Sequence, residues 1–258
     1  MGEMLIGIGQ FFLDGCSGIG RFYVFLFRLV VASFTRPFYF KSWCMNLWTL
    51  LFSALPLVCL ASLCTGMVLT FQTGDGFDRF GVGNEFALPE IVSLSMVREL
   101  APVLTGLMMA GRWSASITSE LASMRLTSQI DALVTLSISP MRYLVVPRFL
   151  AAALAMPLIV LVCVVAGVMG GYLVVMHSFP SIAPSYIVRS LSVLTVSDCL
   201  MCLQKALFFG LSIACIATYS GWSVKGGSQE LGQSTTRSVV YSGLLVLTMN
   251  FLITSLWV

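Results

Sequence analysis

Five long apolar stretches decide what this chain can fold into. Each holds about 20 or more mostly apolar residues, the length that an α-helix needs to cross the hydrocarbon core of a bilayer. Only 10% of the residues are charged, whereas soluble domains carry about 25%. The sequence therefore predicts an all-α, polytopic membrane protein with five transmembrane helices in one domain, residues 1–258. The predicted spans are Leu47–Phe71, Phe86–Gly111, Phe149–Met176, Cys199–Tyr219 and Val239–Val258.

The N-terminal segment, residues 1–46, precedes the first predicted span. Within it, Ile19–Phe34 is short and carries Arg21 and Arg28, which are seven residues apart and so lie on nearly the same helical face. This pattern favours an interfacial helix that lies in the membrane surface with its arginines among the head groups. A short sixth span is the alternative.

The polar segments between the spans differ in charge, and this difference predicts the orientation. The loop after the first span is acidic, with Asp75, Asp78 and Glu85. Lys and Arg are enriched on the cytoplasmic side of membrane proteins, so the N-terminus is expected in the cytoplasm and the C-terminus outside it. The basic segments carry Arg21, Arg28, Arg36 and Lys41; Arg112, Arg125, Arg142 and Arg148; and Lys225 and Arg237.

Two adjacent charges, Arg98 and Glu99, interrupt the second span. A charge at the centre of a membrane helix costs about 2.5–3.5 kcal/mol on insertion scales, so such residues usually face a polar cavity or a protein interface. Pro102 has no N–H group, which leaves the carbonyl oxygen of Arg98 without its helical partner. We expect a kinked helix here, with an unused acceptor beside the two charges.

Lys205 places a further cation inside the fourth span. It lies seven residues after Asp198, which is too far along the helix for simple contact. Lys205 can either snorkel towards the head groups or join Arg98 and Glu99 in a polar pocket. A cluster of two cations and one anion would suit an anionic head group, and we predict Arg98, Glu99 and Lys205 as substrate-binding residues.

The stretch Trp113–Ser139 is rich in Ser and Thr and predicts a cytoplasmic coupling helix between spans. Its apolar residues form two stripes on opposite faces, which change over near Arg125, so the helix either breaks there or is contacted on both faces. Apolar contact on two faces is typical of a docking element for another protein. The alternative is an amphipathic loop that rests on the membrane. The stripes are Ile117, Leu121 and Met124, and Leu126, Ile130 and Leu133.

Catalytic motifs are absent from the sequence. It has no G-x-x-x-x-G-K-S/T loop for ATP, no H-E-x-x-H and no G-x-S-x-G, and His177 is its one histidine. Most cysteines lie in apolar runs, and Cys199 and Cys202 have no second pair to complete a metal site. The net charge of +3 is too small to indicate nucleic acid. We therefore expect no catalytic residues, no metal and no cofactor of its own.

Four blocks of the chain resemble the MlaE/YrbE family, the permease subunits of ABC-type lipid transporters. They are "VRELAPVL" from Val97, "AGR" from Ala110, "SPMRYLVVPRFLAA" from Ser139 and "TTRSVVYS" from Thr235. As an ordered set they are quite specific. The chain departs from the family pattern at three positions: Ala101, Ser128 and Ser139 stand where members usually carry Gly, Glu and Asp.

The resemblance implies partners and a location. It implies a homodimer in the bacterial inner membrane and a cytoplasmic ABC ATPase, which binds ATP and Mg²⁺. It also implies an MCE-domain lipid-binding protein on the periplasmic side and often a small STAS-domain subunit. The substrate would be a phospholipid or related membrane lipid. The residues expected to couple the chain to the ATPase are Arg112, Glu120, Arg125 and Asp131.

Three functional hypotheses follow. In the first, the chain is a lipid permease in which Arg98 and Lys205 face the phosphate and Glu99 balances their charge. In the second, it is an ion-coupled secondary transporter in which Glu99 is the proton site. In the third, it is a scaffold in which the buried charges serve assembly only.

Overall fold

The structure, a computed structural model, describes residues 17, 20–35, 39–80, 87–224 and 226–257. The chain is helical through nearly all of these ranges, which confirms the all-α prediction. Helices α2, α3, α5, α7 and α8 are long and apolar enough to cross a membrane, as predicted. The described helices are α1 (20–34), α2 (Phe40–Phe80), α3 (Leu88–Leu126), α4 (Gln129–Thr135), α5 (Met141–Ser178), α6 (Ala183–Ser192), α7 (Val196–Ser223) and α8 (Ser228–Trp257).

The helices extend beyond the apolar stretches that predicted them. Helix α3 continues past Gly111 to Leu126, so the first half of the expected coupling region, 113–139, is part of a spanning helix. Trp113, Ile117 and Leu121 are buried there in the core. Helix α2 likewise begins at Phe40, inside the segment 1–46 that was expected to precede the first span. Phe86 and Val258, the outer limits of two predicted spans, lie outside the described residues.

The chain breaks its helix just after Arg125, where the apolar stripes change faces. Thr127 and Ser128 form a turn, and Ser128 has a left-handed φ of 56°. The short helix α4 follows and buries Ile130 against the core, while Leu133 packs partly against it. Of the two alternatives raised by the stripes, the structure has the break.

The spanning helices pack as a bundle around α5 and α7. Helix α5 lies along α2, and α7 contacts α3, α5 and α8. Small residues allow the closest of these approaches: a Cβ atom on Gly66 would overlap the carbonyl oxygen of Gly167, and one on Gly170 would overlap that of Leu63. Gly167 and Gly170 of α5 therefore serve packing within the subunit, because the backbones of α2 and α5 are in contact there.

Helix α1 covers one end of the bundle. Phe25 and Leu29 pack against Val145 and Val146 at the start of α5, and the ring of Phe25 meets Tyr219 near the end of α7. This position fits the interfacial helix better than the sixth span. Ile19 lies outside the described residues.

Replacing Gly66 with Ala should destabilise the fold, because the new methyl group meets the backbone of α5 and the two helices must separate. Overpacking of this kind costs about 1–3 kcal/mol, so thermal unfolding in detergent micelles should shift down by several degrees. Gly243→Ala is the matched control, since a Cβ atom there has no neighbour within 4 Å. Equal unfolding temperatures for the two variants would contradict the close approach.

Candidate functional site

A widened helical turn carries the two membrane charges. Residues Met96–Leu100 form a π-helical turn within α3, in which the N–H of Ala101 donates to the carbonyl oxygen of Met96, five residues back. Such turns are uncommon and often mark functional sites. Pro102 contributes to this one because it cannot donate to the carbonyl oxygen of Arg98.

Lys205 donates a hydrogen bond to the carbonyl oxygen of Arg98, to which Pro102 cannot donate. The side chain of Lys205 on α7 is completely buried, and its Nζ donates to the carbonyl oxygen of Arg98 at 2.8 Å. The same ammonium group lies 2.7 Å from Oε1 of Glu99. The predicted free acceptor beside the charges is thus confirmed, and so is the meeting of Lys205 with Arg98 and Glu99. The snorkelling alternative is wrong.

Two polar residues of α8 complete the contacts of Glu99. Asn250 donates through Nδ2 to Oε2 at 2.9 Å, and the hydroxyl of Thr254 donates to Oε1 at 3.0 Å. The two residues lie one helical turn apart, so they present their side chains on one face of α8. Sequence reasoning missed both, although a polar pair at this spacing in an apolar helix was the available signal.

Arg98 forms a second ion pair, with Asp198 at the beginning of α7. Its Nε lies 2.7 Å from Oδ1 of Asp198, whose side chain is 5% exposed. The other carboxylate oxygen accepts from the backbone N–H of Thr195 at 3.1 Å and from the hydroxyl of Thr195 at 2.5 Å. Thr195 and Asp198 form a capping box that fixes the start of α7 and orients the carboxylate.

The charge of this cluster differs from the sequence-based expectation. We expected two cations and one anion, but Asp198 joins as a second anion because the start of α7 packs beside the π turn. The cluster is therefore neutral overall. Arg98 is its most exposed member, at 52%, and Glu99 follows at 41%, whereas Lys205 is 0% exposed. Lys205 is thus enclosed by α3 and α7 and does not face a ligand in this structure.

A third ion pair lies towards the other end of α3. Arg148 of α5, 7% exposed, places Nη2 2.7 Å from Oε1 of Glu120. The guanidinium of Arg125 lies 5.8 Å from the centre of the Trp222 ring in α7, a cation–π distance. Of the four expected coupling residues, Glu120 and Arg125 thus connect α3 to neighbouring helices, while Arg112 and Asp131 are exposed.

A buried hydroxyl cluster joins α3 to α8 between these two ends. Ser114 lies 2.8 Å from both Ser238 and Ser242. Thr118 donates to Ser238 at 2.9 Å. All four side chains are completely buried. Sequence reasoning missed this contact, because the Ser- and Thr-rich stretch was interpreted as a cytoplasmic coupling helix outside the membrane bundle.

Helix α3 carries both charged ends. Glu120 follows Arg98 by 22 residues, which corresponds to ~33 Å along a helix that rises 1.5 Å per residue. Between Leu88 and Leu126, all of which the structure describes, the π turn is the only interruption of the α-helix. Helix α3 therefore connects the cluster around Arg98 and Glu99 at one end to the Glu120–Arg148 ion pair towards the other.

Comparisons with known proteins agree on one family. The family described as "Permease MlaE" matches residues 43–256. The chain is 40% identical over 250 residues to a "Probable ABC transporter permease protein" of Rickettsia felis, covering 97% of this chain and 96% of that protein. It is 30% identical over 255 residues to the "Intermembrane phospholipid transport system permease protein MlaE" of Haemophilus influenzae, covering 98% and 97%.

Replacing Lys205 with Met should destabilise the protein, because Glu99 loses its cation and the carbonyl oxygen of Arg98 loses its donor. Removal of one partner from a buried ion pair costs about 3–5 kcal/mol, and partial exposure of Glu99 places the expected loss near the lower figure. The measurement is thermal unfolding in detergent micelles. Adding Glu99→Gln should recover part of the loss, since no unpaired carboxylate remains.

The control for this measurement is Arg79→Gln, which removes a cation from an exposed pair with Asp75. Exposed pairs of this kind contribute about 0.5 kcal/mol or less. If Lys205→Met and Arg79→Gln unfold at the same temperature, the contacts of Lys205 do not stabilise α3 against α7.

Proposed function

We propose that this chain, which belongs to the MlaE permease family, moves phospholipids as the membrane subunit of an ABC transporter. It is a multi-pass membrane protein whose contribution is a path for the lipid. The ATPase activity resides in a separate subunit, which binds ATP and Mg²⁺. The observation that carries the proposal is the partly exposed guanidinium of Arg98, held at a π turn within an otherwise apolar spanning helix.

Arg98 is the residue that we assign to the lipid phosphate. Its Nε is bound to Asp198, and its terminal amino groups have no hydrogen-bond partner among the described residues. Guanidinium groups bind phosphate through two parallel N–H donors. The terminal amino groups of Arg98 can therefore donate to a phosphate while the neighbouring contacts hold its backbone in place.

Lys205 and Glu99 have positioning roles in this proposal. Lys205 is buried and bonded to both the turn and Glu99, so it holds the widened backbone that presents Arg98. Glu99 balances the ammonium charge and anchors α8 through Asn250 and Thr254. The sequence-based role of Lys205 as a second phosphate ligand is thereby replaced by a structural one.

The homodimer is the next element of the proposal. Helix α8 has a large exposed apolar face. Only 17% of its most apolar 18-residue stretch is buried within the subunit. Asn250 and Thr254, which bind Glu99, lie next to this face on the same helix. A second copy packed on α8 would bring two Arg98 sites towards a common axis. The exposed apolar residues of α8 include Val240, Leu244, Leu247 and Phe251.

The ATPase docks, in this proposal, at α4 and the end of α3. Leu126, Val134 and Leu136 are exposed there, at 38%, 58% and 69%, and Asp131 supplies an exposed charge on α4. Arg112 is also exposed, but it lies about 21 Å before Leu126 along α3. The basic segments favour the cytoplasmic side of a bacterial inner membrane for this end, so this proposal has the N-terminus inside and the C-terminus in the periplasm. An MCE-domain protein would bind the periplasmic end, and a STAS-domain subunit would join the ATPase.

The ion-coupled alternative has less support. Glu99 accepts hydrogen bonds from Lys205, Asn250 and Thr254, and these donors occupy the carboxylate that would have to take up a proton. One related protein is named a probable ABC transporter permease, and another is named a permease of an intermembrane phospholipid transport system. A requirement for a proton gradient instead of ATP would favour this alternative.

Replacing Arg98 with Gln should reduce ATP-dependent lipid movement at least tenfold, because the phosphate loses its cation. The assay reconstitutes the permease with its ATPase in vesicles and follows a fluorescent phospholipid, and Arg98→Lys should retain part of the rate. Arg79→Gln, which removes an exposed arginine elsewhere, is the control. Wild-type transport by Arg98→Gln would exclude the assigned role, and a change in assembly alone would support the scaffold hypothesis.

Replacing Leu136 with Glu should prevent docking of the ATPase, because a charge would enter the proposed apolar contact. Affinity purification of the tagged permease should recover at least tenfold less ATPase, while the elution volume of the permease in size-exclusion chromatography stays unchanged. Leu191→Glu on α6 introduces the same charge at a leucine of similar exposure, 66%, and should retain the ATPase. Equal recovery with both variants would place the docking surface elsewhere.

A further inference from the structure

A basic cleft under helix α1 lies apart from the Arg98 cluster. It has a volume of about 910 Å³ and is bounded by α1, the end of α3, the start of α5 and the end of α7. Arg21 and Arg28 extend from α1, Arg125 from α3 and Arg142 from α5. Four cations from three separate helices therefore line one cleft, and the described lining residues include no Asp or Glu.

Three of these arginines, Arg21, Arg28 and Arg125, differ from the other cations that this fold encloses. Arg98, Arg148 and Lys205 each have a carboxylate at 2.7 Å. Arg21 instead donates to the carbonyl oxygen of Ser17 at 3.3 Å, and Arg125 lies over the Trp222 ring. For Arg21, Arg28 and Arg125, the part of the chain that the structure describes places no carboxylate within 4.0 Å. Bringing such cations together costs Coulomb energy that an anion in the cleft would offset.

The cleft also has an apolar wall on the same helix. Val24, Phe27 and Val31 line it, and they are 51%, 70% and 46% exposed. They lie within the same three turns of α1 as Arg21 and Arg28, so cationic and apolar surface adjoin. An amphipathic helix of this kind lies at the boundary between head groups and acyl chains. Free phosphate or an acidic peptide would use the cations and leave the apolar wall in water.

We propose that this cleft binds an anionic phospholipid, with the head-group phosphate among Arg21, Arg28 and Arg125 and the acyl chains along the exposed wall of α1. This bound lipid comes from the leaflet at this end of the bundle, and it is distinct from the transported lipid whose phosphate we assign to Arg98. Its binding joins α1 to the ends of α3 and α7. The proposal does not depend on transport through the Arg98 cluster.

Trp222 provides a local measurement, because it lines the cleft. The full chain in detergent micelles is titrated with brominated phosphatidylglycerol, which quenches tryptophan by contact, and the difference between the wild type and Trp222→Phe isolates the signal of Trp222. We expect saturable quenching by brominated phosphatidylglycerol and only weak, non-saturating quenching by brominated phosphatidylcholine, which has no net charge.

Removing the cations of α1 tests the site itself. The double variant Arg21→Gln/Arg28→Gln should raise the half-saturating lipid fraction at least tenfold, since each basic residue near a membrane surface strengthens attraction to anionic lipid. Arg79→Gln, which is distant from the cleft, should leave the titration unchanged. Arg98→Gln should also leave it unchanged, which separates this site from the proposed transport site.

A second variant acts from the opposite wall and keeps the test independent of α1 folding. Ser139 lines the cleft just before α5, and Asp is as compatible as Ser with the start of a helix. Ser139→Asp should weaken quenching by brominated phosphatidylglycerol at an unchanged unfolding temperature. Equal quenching by both lipids, retention of affinity in Ser139→Asp and the double variant, or full displacement by millimolar inorganic phosphate would each overturn the lipid site.

Discussion

The interaction on which the site depends is the contact of the Lys205 ammonium group with the proline-broken turn of α3. Pro102 leaves the carbonyl oxygen of Arg98 without a helical donor, and an unsatisfied backbone acceptor away from water is costly. Lys205 supplies the donor at 2.8 Å but brings a charge that must itself be balanced. Glu99 provides that balance, and Asn250 and Thr254 then satisfy its oxygens. The missing N–H group of Pro102 is thus the first step in a series of hydrogen bonds that joins α3 to Lys205 on α7 and to Asn250 and Thr254 on α8.

This sequence of contacts explains which member of the cluster can meet a ligand. Lys205 is bonded on two sides and enclosed, so moving it would leave both a carboxylate and a carbonyl group unpaired. Arg98 is held by a single hydrogen bond to Asp198. Asp198 in turn keeps its hydrogen bonds to Thr195 when Arg98 moves. A phosphate can therefore compete with Asp198 for Arg98 at a lower cost than it could compete with Glu99 for Lys205.

Local rules predicted the parts of the site that lie close together in sequence. The apolar stretches predicted five spans, and Pro102 predicted the unused acceptor on Arg98. Both predictions use residues that are neighbours in the sequence: a run of apolar side chains in the first case, and a missing N–H group four residues away in the second. Asp198 and Asn250 were not identified as partners, since their contacts join residues 100 and 151 positions apart and depend on how α7 and α8 pack. The extension of α3 to Leu126 was missed for another reason. Ser114 and Thr118 look polar in sequence, yet both hydrogen-bond to Ser238 of α8 inside the core.

The buried hydroxyls also bear on how the two ends of α3 are connected. A hydroxyl group both donates and accepts, so it can exchange partners on a neighbouring helix without being left unpaired. Ser114, Ser238 and Ser242 already form such a set, with Ser114 equally distant from the other two. The charged contacts on either side, at Glu99 and at Glu120, have fixed donors and acceptors. A shift of α8 along α3 could therefore exchange partners at the hydroxyls without breaking the ion pairs that hold α3 to Lys205 of α7 and to Arg148 of α5. Helix α3 is thus fixed to these two helices near both ends, with an adjustable contact to α8 between them.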